Sequence, residues 1–205
     1  MNDVTIKQAA AANDGVAAPG LRGLHHLALN TDDMAMTIDF YVDVLGMPLI
    51  HGLKVPPEIS TGEGNRGNPP FDNLRHYFFD MGGDSLLAFF EIPKGEKPKG
   101  DRDAIAAMQH VAFSATPERF KAIRAELDKR KIDYLGPIEI LPEMFSIYFY
   151  DPNGIRLEVC VHPNQGDAPR IVHGTMQDKS GARAELETLS DDKDWIEKRL
   201  DKIPG

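Results

Sequence analysis

The chain is predicted to fold as an α+β protein built from two βαβββ modules, and three observations predict it. One order of elements (strand, helix, short strand, hairpin) is legible twice, across residues 23–93 and again across 108–163. Chemically matching residues fall at matching places in the two copies: His26 with His110, Asp80 with Asp151 and Gly83 with Gly154. Each copy alone is too small to bury a sheet, so the two must pack on one another.

Composition narrows the function before any motif is read. A formal net charge of −9 over 205 residues argues against nucleic acid or an anionic membrane as the main partner, since both recruit Lys and Arg. No apolar run approaches the length of a membrane span, and the first residues lack the basic region and apolar core of a secretory signal. A cytoplasmic protein is the expectation. With Cys160 as the single cysteine there is no internal disulfide and no thiolate cluster, so any metal must be held by His and carboxylate.

Residues 1–22 carry Ala, Asn, Asp and Gly without apolar periodicity and read as a disordered N-terminal arm. Leu24 to Leu29 reads as a strand, and alternation places His26, Ala28 and Asn30 on one face with His25 pointing the opposite way. Thr31-Asp32-Asp33 caps a helix whose apolar positions Met34, Ile38, Tyr41, Val42 and Leu45 recur at helical spacing until Gly46 closes it. Met47 to Ile50 is a short strand. Residues 51–74 are rich in Gly, Pro and Asn and far longer than an ordinary connection, which predicts a lid or binding loop. Arg75–Met81 and Asp84–Ile92 then form a hairpin turned at Gly82-Gly83.

Residues 94–107 form a polar linker, after which Met108 to Phe113 repeats the first strand with His110, Ala112 and Ser114 on one face. Thr116 caps and Pro117 opens a second helix with an inward stripe of Phe120, Ile123 and Leu127. Ile132 to Leu135 is the return strand. The last hairpin joins Ser146–Tyr150 to Ile155–Val161 through Asp151-Pro152-Asn153-Gly154, where Pro presets φ and Gly accepts positive φ. Residues 164–205 form a polar tail ending in a short helix marked by Trp195, Ile196 and Leu200.

The residue that demands explanation is Glu158, a carboxylate between Leu157 and Val159 in a strand that otherwise reads as buried. Burial there requires pairing, protonation or a metal. His26 and His110 stand on corresponding strands of the two modules, so joining the modules predicts both imidazoles at one seam with Glu158. Two neutral imidazoles and one carboxylate suit Fe(II), with Mn(II) close behind; Zn(II) or Ni(II) would also accept these donors. Each His taken alone reads as an ordinary hydrogen-bonded residue; the repeat and the buried acid favour the metal.

The motifs His26-Leu-Ala-Leu29, Phe40-Tyr-Val-Asp-Val-Leu-Gly46, Gln109-His-Val-Ala-Phe113 and Tyr150-Asp-Pro-Asn-Gly-Ile-Arg-Leu-Glu158 resemble those of the vicinal oxygen chelate superfamily. That group includes glyoxalase I, type I extradiol dioxygenases, methylmalonyl-CoA epimerase and the fosfomycin and bleomycin resistance proteins. The resemblance covers roughly Gly23 to Pro163. It implies paired modules forming a cup around one divalent metal, with His26, His110 and Glu158 at the ligand positions, and relatives that are often dimers.

Glyoxalase and epimerase relatives usually carry a further carboxylate on the first-module strand; here Leu87 or Ala88 falls at that position, and Glu91, nearby, is the candidate fourth ligand. Three protein ligands match the extradiol pattern better. Tyr148, ten residues before Glu158, sits where those enzymes place a tyrosine that hydrogen-bonds the bound substrate. Their upstream His is absent, Glu139, Ile140 and Leu141 filling that window, which leaves His76 or His51 as substitutes.

The resemblance thus favours an extradiol-type dioxygenase using O2 on a small aromatic or lipophilic substrate. A glyoxalase- or epimerase-type lyase or isomerase with Glu91 or Glu139 as base stands second, and a metal-free antibiotic-binding protein third. Phe79, Phe89, Phe113 and Phe145 are available for an apolar wall, Arg66 and Arg75 for a substrate carboxylate, while His25, His162 and His173 read as surface or structural.

Overall fold

The computed structural model describes residues 23–54, 74–163, 175 and 177–203. The N-terminal arm, residues 55–73 of the expected lid, Arg66 and His173 lie outside these residues. The first module runs β1 (His26–Thr31), α1 (Met34–Asp43), β2 (Leu49–Lys54), β3 (Arg75–Asp80) and β4 (Leu86–Glu91). The second runs β5 (Val111–Ala115), α2 (Pro117–Arg130), β6 (Tyr134–Leu141), β7 (Met144–Tyr150) and β8 (Arg156–Val161). Their sheets have the same order, β1-β4-β3-β2 and β5-β8-β7-β6. In each, the opening strand pairs in parallel with the closing one and the remaining pairs are antiparallel. The duplicated α+β architecture read from the sequence is the observed one.

Both helices begin where their caps predict. Asp33 accepts a hydrogen bond from the Met36 N–H at 3.0 Å, and Thr116 accepts one from Arg119 at 3.2 Å with Pro117 opening the first turn. Three strands are longer than expected, among them β7, which starts at Met144. His51–Lys54, assigned to the loop, continue β2 against β3; Gly52 there leaves room for the Tyr77 ring, which an added Cβ would approach to 3.0 Å. The return strand expected at Ile132–Leu135 runs instead from Tyr134 through Gly136-Pro137 to Leu141, because an edge strand tolerates proline and the ladder shifts register between Leu135 and Ile138.

One apolar core joins the modules. Tyr41, Phe79 and Phe89 of the first and Phe149 and Leu157 of the second are essentially inaccessible to solvent, with Tyr41 5.0 Å from Phe89 and Phe40 6.4 Å from Phe149 between ring centroids. Alternation decides which aromatics go inside. Phe79 and Phe89 point into this core, and Phe113 and Phe145 pack at its margin, so the four phenylalanines offered as a substrate wall are core residues. Phe78 and Phe90, of opposite parity, occupy the other face of the first sheet.

A buried polar clamp fixes the seam. Asp151, 4% exposed, accepts from the Tyr41 hydroxyl at 3.0 Å, the Asn153 amide at 3.0 Å and the Ile155 N–H at 2.7 Å, and Thr31 donates to Asn153 at 2.7 Å. Burial raises the Asp151 carboxyl above the ordinary carboxylate range; these donors oppose that rise. Its repeat partner Asp80 is exposed and holds only its own turn, accepting from Gly82 at 2.8 Å. On the other side Gly46, at φ +62°, leaves the space in which the Arg119 guanidinium sits, 1.7 Å from where a Cβ would be.

The C-terminal unit has α3 (Lys179–Leu189) and α4 (Lys193–Leu200), joined by a small cluster of Ala182, Ile196 and Leu200 and by an Arg183–Glu197 ion pair at 2.9 Å. The sequence pattern gave only the second of these helices, since the first carries too few apolar positions. No helix among the described residues is long and apolar enough to cross a membrane.

The clamp makes a direct prediction. Tyr41→Phe removes one donor from a buried carboxylate and is expected to cost about 1–3 kcal/mol, lowering Tm by several degrees in a calorimetric scan. An unchanged Tm would show that Tyr41 stabilises through its ring alone.

Candidate active site

The register of the second sheet places Tyr148 beside Glu158 and Glu158 beside Ala112, all on the face opposite the core. Glu158 is 5% exposed. Its Oε1 accepts from the Tyr148 hydroxyl at 2.8 Å and from the Cys160 thiol at 3.2 Å, while its Oε2 faces His110 Nε2 at 2.9 Å. Burial alone would raise this carboxyl; hydrogen bonds from Ser146, Cys160 and Tyr148, together with His110, outweigh it and hold Glu158 below the usual carboxylate range. Burial, the hydrogen bond and the adjacent charge of Glu158 raise the Tyr148 phenol, so it remains a donor. The Cys160 thiol is pushed up to about 11, mainly by burial, and is therefore a donor to Glu158 rather than a thiolate.

His110 Nδ1 bonds to Gln109 Oε1. The same oxygen receives Arg156 Nη1 at 3.4 Å, and since Arg can only donate, the atom facing it is the carbonyl oxygen. Gln109 therefore requires a proton on His110 Nδ1. The lone pair of Nε2 is then directed at a carboxylate oxygen, an arrangement that needs a positive charge between them, either a second imidazole proton or a metal ion. The observed 2.9 Å is the length of a charge-assisted N–H···O hydrogen bond; an imidazole nitrogen and a carboxylate oxygen are also donors that a divalent metal accepts. The pair is thus suited to a divalent metal, with its tautomer set from behind as metal-binding imidazoles require.

His26 is placed differently. Its Nδ1 lies 2.9 Å from Nδ1 of His25, and its ring stands 6.3 Å from His76 and 5.8 Å from Phe78. His25 and His26 were expected to point apart; their rings meet because β1 begins only at His26, so the pleat does not govern His25. Among the described residues, His, Cys, Asp and Glu form no group of three able to hold a metal. The structure therefore brings Tyr148, His110 and Glu158 together and leaves His26 with neighbours of its own module. A local likeness persists: in both modules the residue before the His engages its Nδ1.

Glu91 is committed elsewhere. Its Oε1 accepts the Met34 N–H at 2.9 Å, capping α1, and its Oε2 pairs with Arg75, so neither residue is directed at the pair in the second sheet. The position equivalent to Glu158 is Ala88, since Ala88 pairs with Ala28 as Glu158 pairs with Ala112. Glu139, the other carboxylate considered as a base, is exposed and accepts from the Glu143 N–H in the β6–β7 turn at 2.9 Å. His76 stacks on Phe90 at 3.7 Å, and burial lowers its basicity. Gln109, His25 and Arg156 had been missed. The repeated polar residue ahead of each His was the available signal.

The family described as Glyoxalase/Bleomycin resistance protein/Dioxygenase superfamily matches residues 23–159. Solved structures of similar fold include a glyoxylase/bleomycin resistance protein/dioxygenase domain from Frankia sp. EAN1pec, with 18% identity, a TM-score of 0.54, and coverage of 72% of this chain and 96% of that one. A glyoxalase/dioxygenase from Nostoc punctiforme shares 21% identity at a TM-score of 0.50, over 78% of this chain and all of its own. A glyoxalase family protein from Enterococcus faecalis shares 21% at 0.50, over 68% and 97%. At these identities the structures establish the fold. Matched over two βαβββ modules from residue 23 to 159, the chain belongs to the glyoxalase/bleomycin resistance protein/dioxygenase superfamily, the vicinal oxygen chelate group.

Proposed function

We propose that the protein is a divalent-metal-dependent dioxygenase of extradiol type that cleaves an aromatic vicinal diol, with Fe(II) preferred and Mn(II) next. The observation that carries this reading is the division of Glu158 between its oxygens: Oε1 holds two donors, and Oε2 faces an imidazole nitrogen of fixed tautomer. His110 and Glu158 would hold the metal, with His26 the third donor that the family likeness implies, although here its ring stands with His25, His76 and Phe78. When bound, the metal would gather the two substrate oxygens and acidify the diol.

The protein's own groups have definite tasks in this scheme. Gln109 keeps His110 in the ligating tautomer. Cys160 holds Glu158 Oε1 in place while Tyr148, protonated throughout, is free to turn its hydroxyl from Glu158 to a substrate oxygen beside it. A cytoplasmic setting, where Fe(II) stays reduced, suits this chemistry.

A lyase or isomerase reaction needs a carboxylate base beside the metal. Ala88 at the equivalent position, with Glu91 and Glu139 both engaged, weighs against it. In a metal-free antibiotic-binding role, the third reading, His110 and Glu158 would serve only as a partly buried imidazolium–carboxylate pair.

Anaerobic reconstitution with Fe(II), Mn(II), Ni(II) or Zn(II), followed by oxygen uptake on substituted catechols and turnover of a hemithioacetal, separates these reactions. Oxygen consumption with Fe(II) and a catechol is expected. Metal-dependent isomerisation of the hemithioacetal without oxygen uptake would replace the reading by the second. His110→Ala and Glu158→Ala are each expected to lose the metal while keeping the wild-type circular dichroism. Tyr148→Phe is expected to retain metal and to reduce kcat by about 10²–10⁴-fold with a smaller change in KM; a wild-type kcat would remove Tyr148 from the chemistry.

A further inference from the structure

A cavity of about 500 Å³ opens where the end of β1, the connector at 92–108 and the β7–β8 turn meet. It contains neither His110 nor Glu158, but Arg156, one of its lining residues, contacts neighbours of both. The Arg156 guanidinium lies 4.6 Å over the Tyr148 ring and bonds to Gln109, so it touches the partners of both Glu158 and His110.

The charge of the lining is opposite to that of the protein. Lys97, Lys99, Arg102 and Arg156 face Asp32 and Asp101, a cationic excess of two on a chain of net charge −9. Asp101 is partly occupied, accepting from the Asp103 N–H at 2.9 Å. Arg102 is one acceptor short: its Nη1 is buried without a hydrogen-bond partner, its Nε stands 3.7 Å from Asp103, and its guanidinium rests 5.8 Å over Tyr150. The guanidinium as a whole is partly exposed, and a planar carboxylate is the group its fork matches. Lys99 crosses the turn at Gly154 and makes no ion pair among the described residues. The rest of the wall, including Leu29, Ile92, Met108 and Ile155, is apolar.

We propose that this cavity receives the anionic end of the substrate, an organic carboxylate carried on an apolar or aromatic body, its reactive end lying toward His110 and Glu158. The assignment of the carboxylate to a substrate rests on the ring-cleaving reading above; the preference of the cavity for the anion does not. Lys99 and Arg102 supply the charge, Arg156 marks the junction with the centre, and the apolar wall accepts the body of the ligand. A neutral ligand of the same shape would forgo every charge-assisted contact.

The test is calorimetric titration of the full chain, metal-reconstituted, with 1-naphthoate, its neutral counterpart 1-naphthamide, and 1-naphthyl phosphate. Naphthoate is expected to bind at least about tenfold more tightly than the amide, and Lys99→Ala/Arg102→Ala to abolish that preference with wild-type Tm and metal content. Equal binding of acid and amide, no binding of either, or a preference that survives the double variant would overturn the proposal. Tighter binding of the phosphate than the carboxylate would overturn the carboxylate assignment. Loss of metal or of oxygen uptake with the naphthoate preference intact would defeat the ring-cleaving reading alone.

Discussion

The arrangement on which the rest depends is the buried Glu158 carboxylate shared between the second sheet and His110. A carboxylate at 5% exposure survives as an anion only where donors surround it, and here two side chains of neighbouring positions, Tyr148 and Cys160, provide them on one oxygen. That leaves the other oxygen to His110, and Gln109 takes away the one proton with which a neutral imidazole could have satisfied it. The pair is therefore completed either by a second imidazole proton or by a bound cation. Tyr148, Glu158 and Cys160 are carried by β7 and β8, held by the core beneath and by the Asp151 clamp at the seam, while Gln109 and His110, expected within a strand, stand just before β5 begins at Val111.

The two modules have diverged in what they do with matching residues. Asp151 locks the seam, whereas Asp80 only shapes a turn. The second sheet keeps a carboxylate opposite Ala112, and the first has Ala88 opposite Ala28. One module thus carries the buried carboxylate with its donors, and the other contributes packing surface, His26 with its Nδ1 against His25, and a face carrying His76, Phe78 and Phe90.

Much of the fold was legible because local signals agreed: caps at Asp33 and Thr116, alternation in the strands, and a duplicated order of elements. What differed were the ends of β2 and β6, which pass through Gly52 and Gly136-Pro137, where a close ring contact and an edge position accommodate them. Glu158 and Tyr148 could be identified because a carboxylate in an apolar strand is costly and its neighbour across the ladder is fixed by register. His26 illustrates the limit of such reasoning. A repeat position places it on the equivalent strand, but which partner its ring takes depends on His25, whose direction alternation predicted wrongly. Glu91 shows the same limit in reverse, since sequence proximity to Ala88 conceals that one residue's change of parity directs it to the helix.

The claim that His110 and Glu158 are joined by a cation is read most directly from the imidazole nitrogens. In a two-bond ¹H–¹⁵N correlation spectrum, His110 should show a protonated Nδ1 and an Nε2 whose resonance moves strongly when one equivalent of diamagnetic Zn(II) is added, a movement absent in Glu158→Ala. A proton on Nε2 in place of Nδ1, or an Nε2 resonance indifferent to the metal in the wild-type protein, would contradict the account.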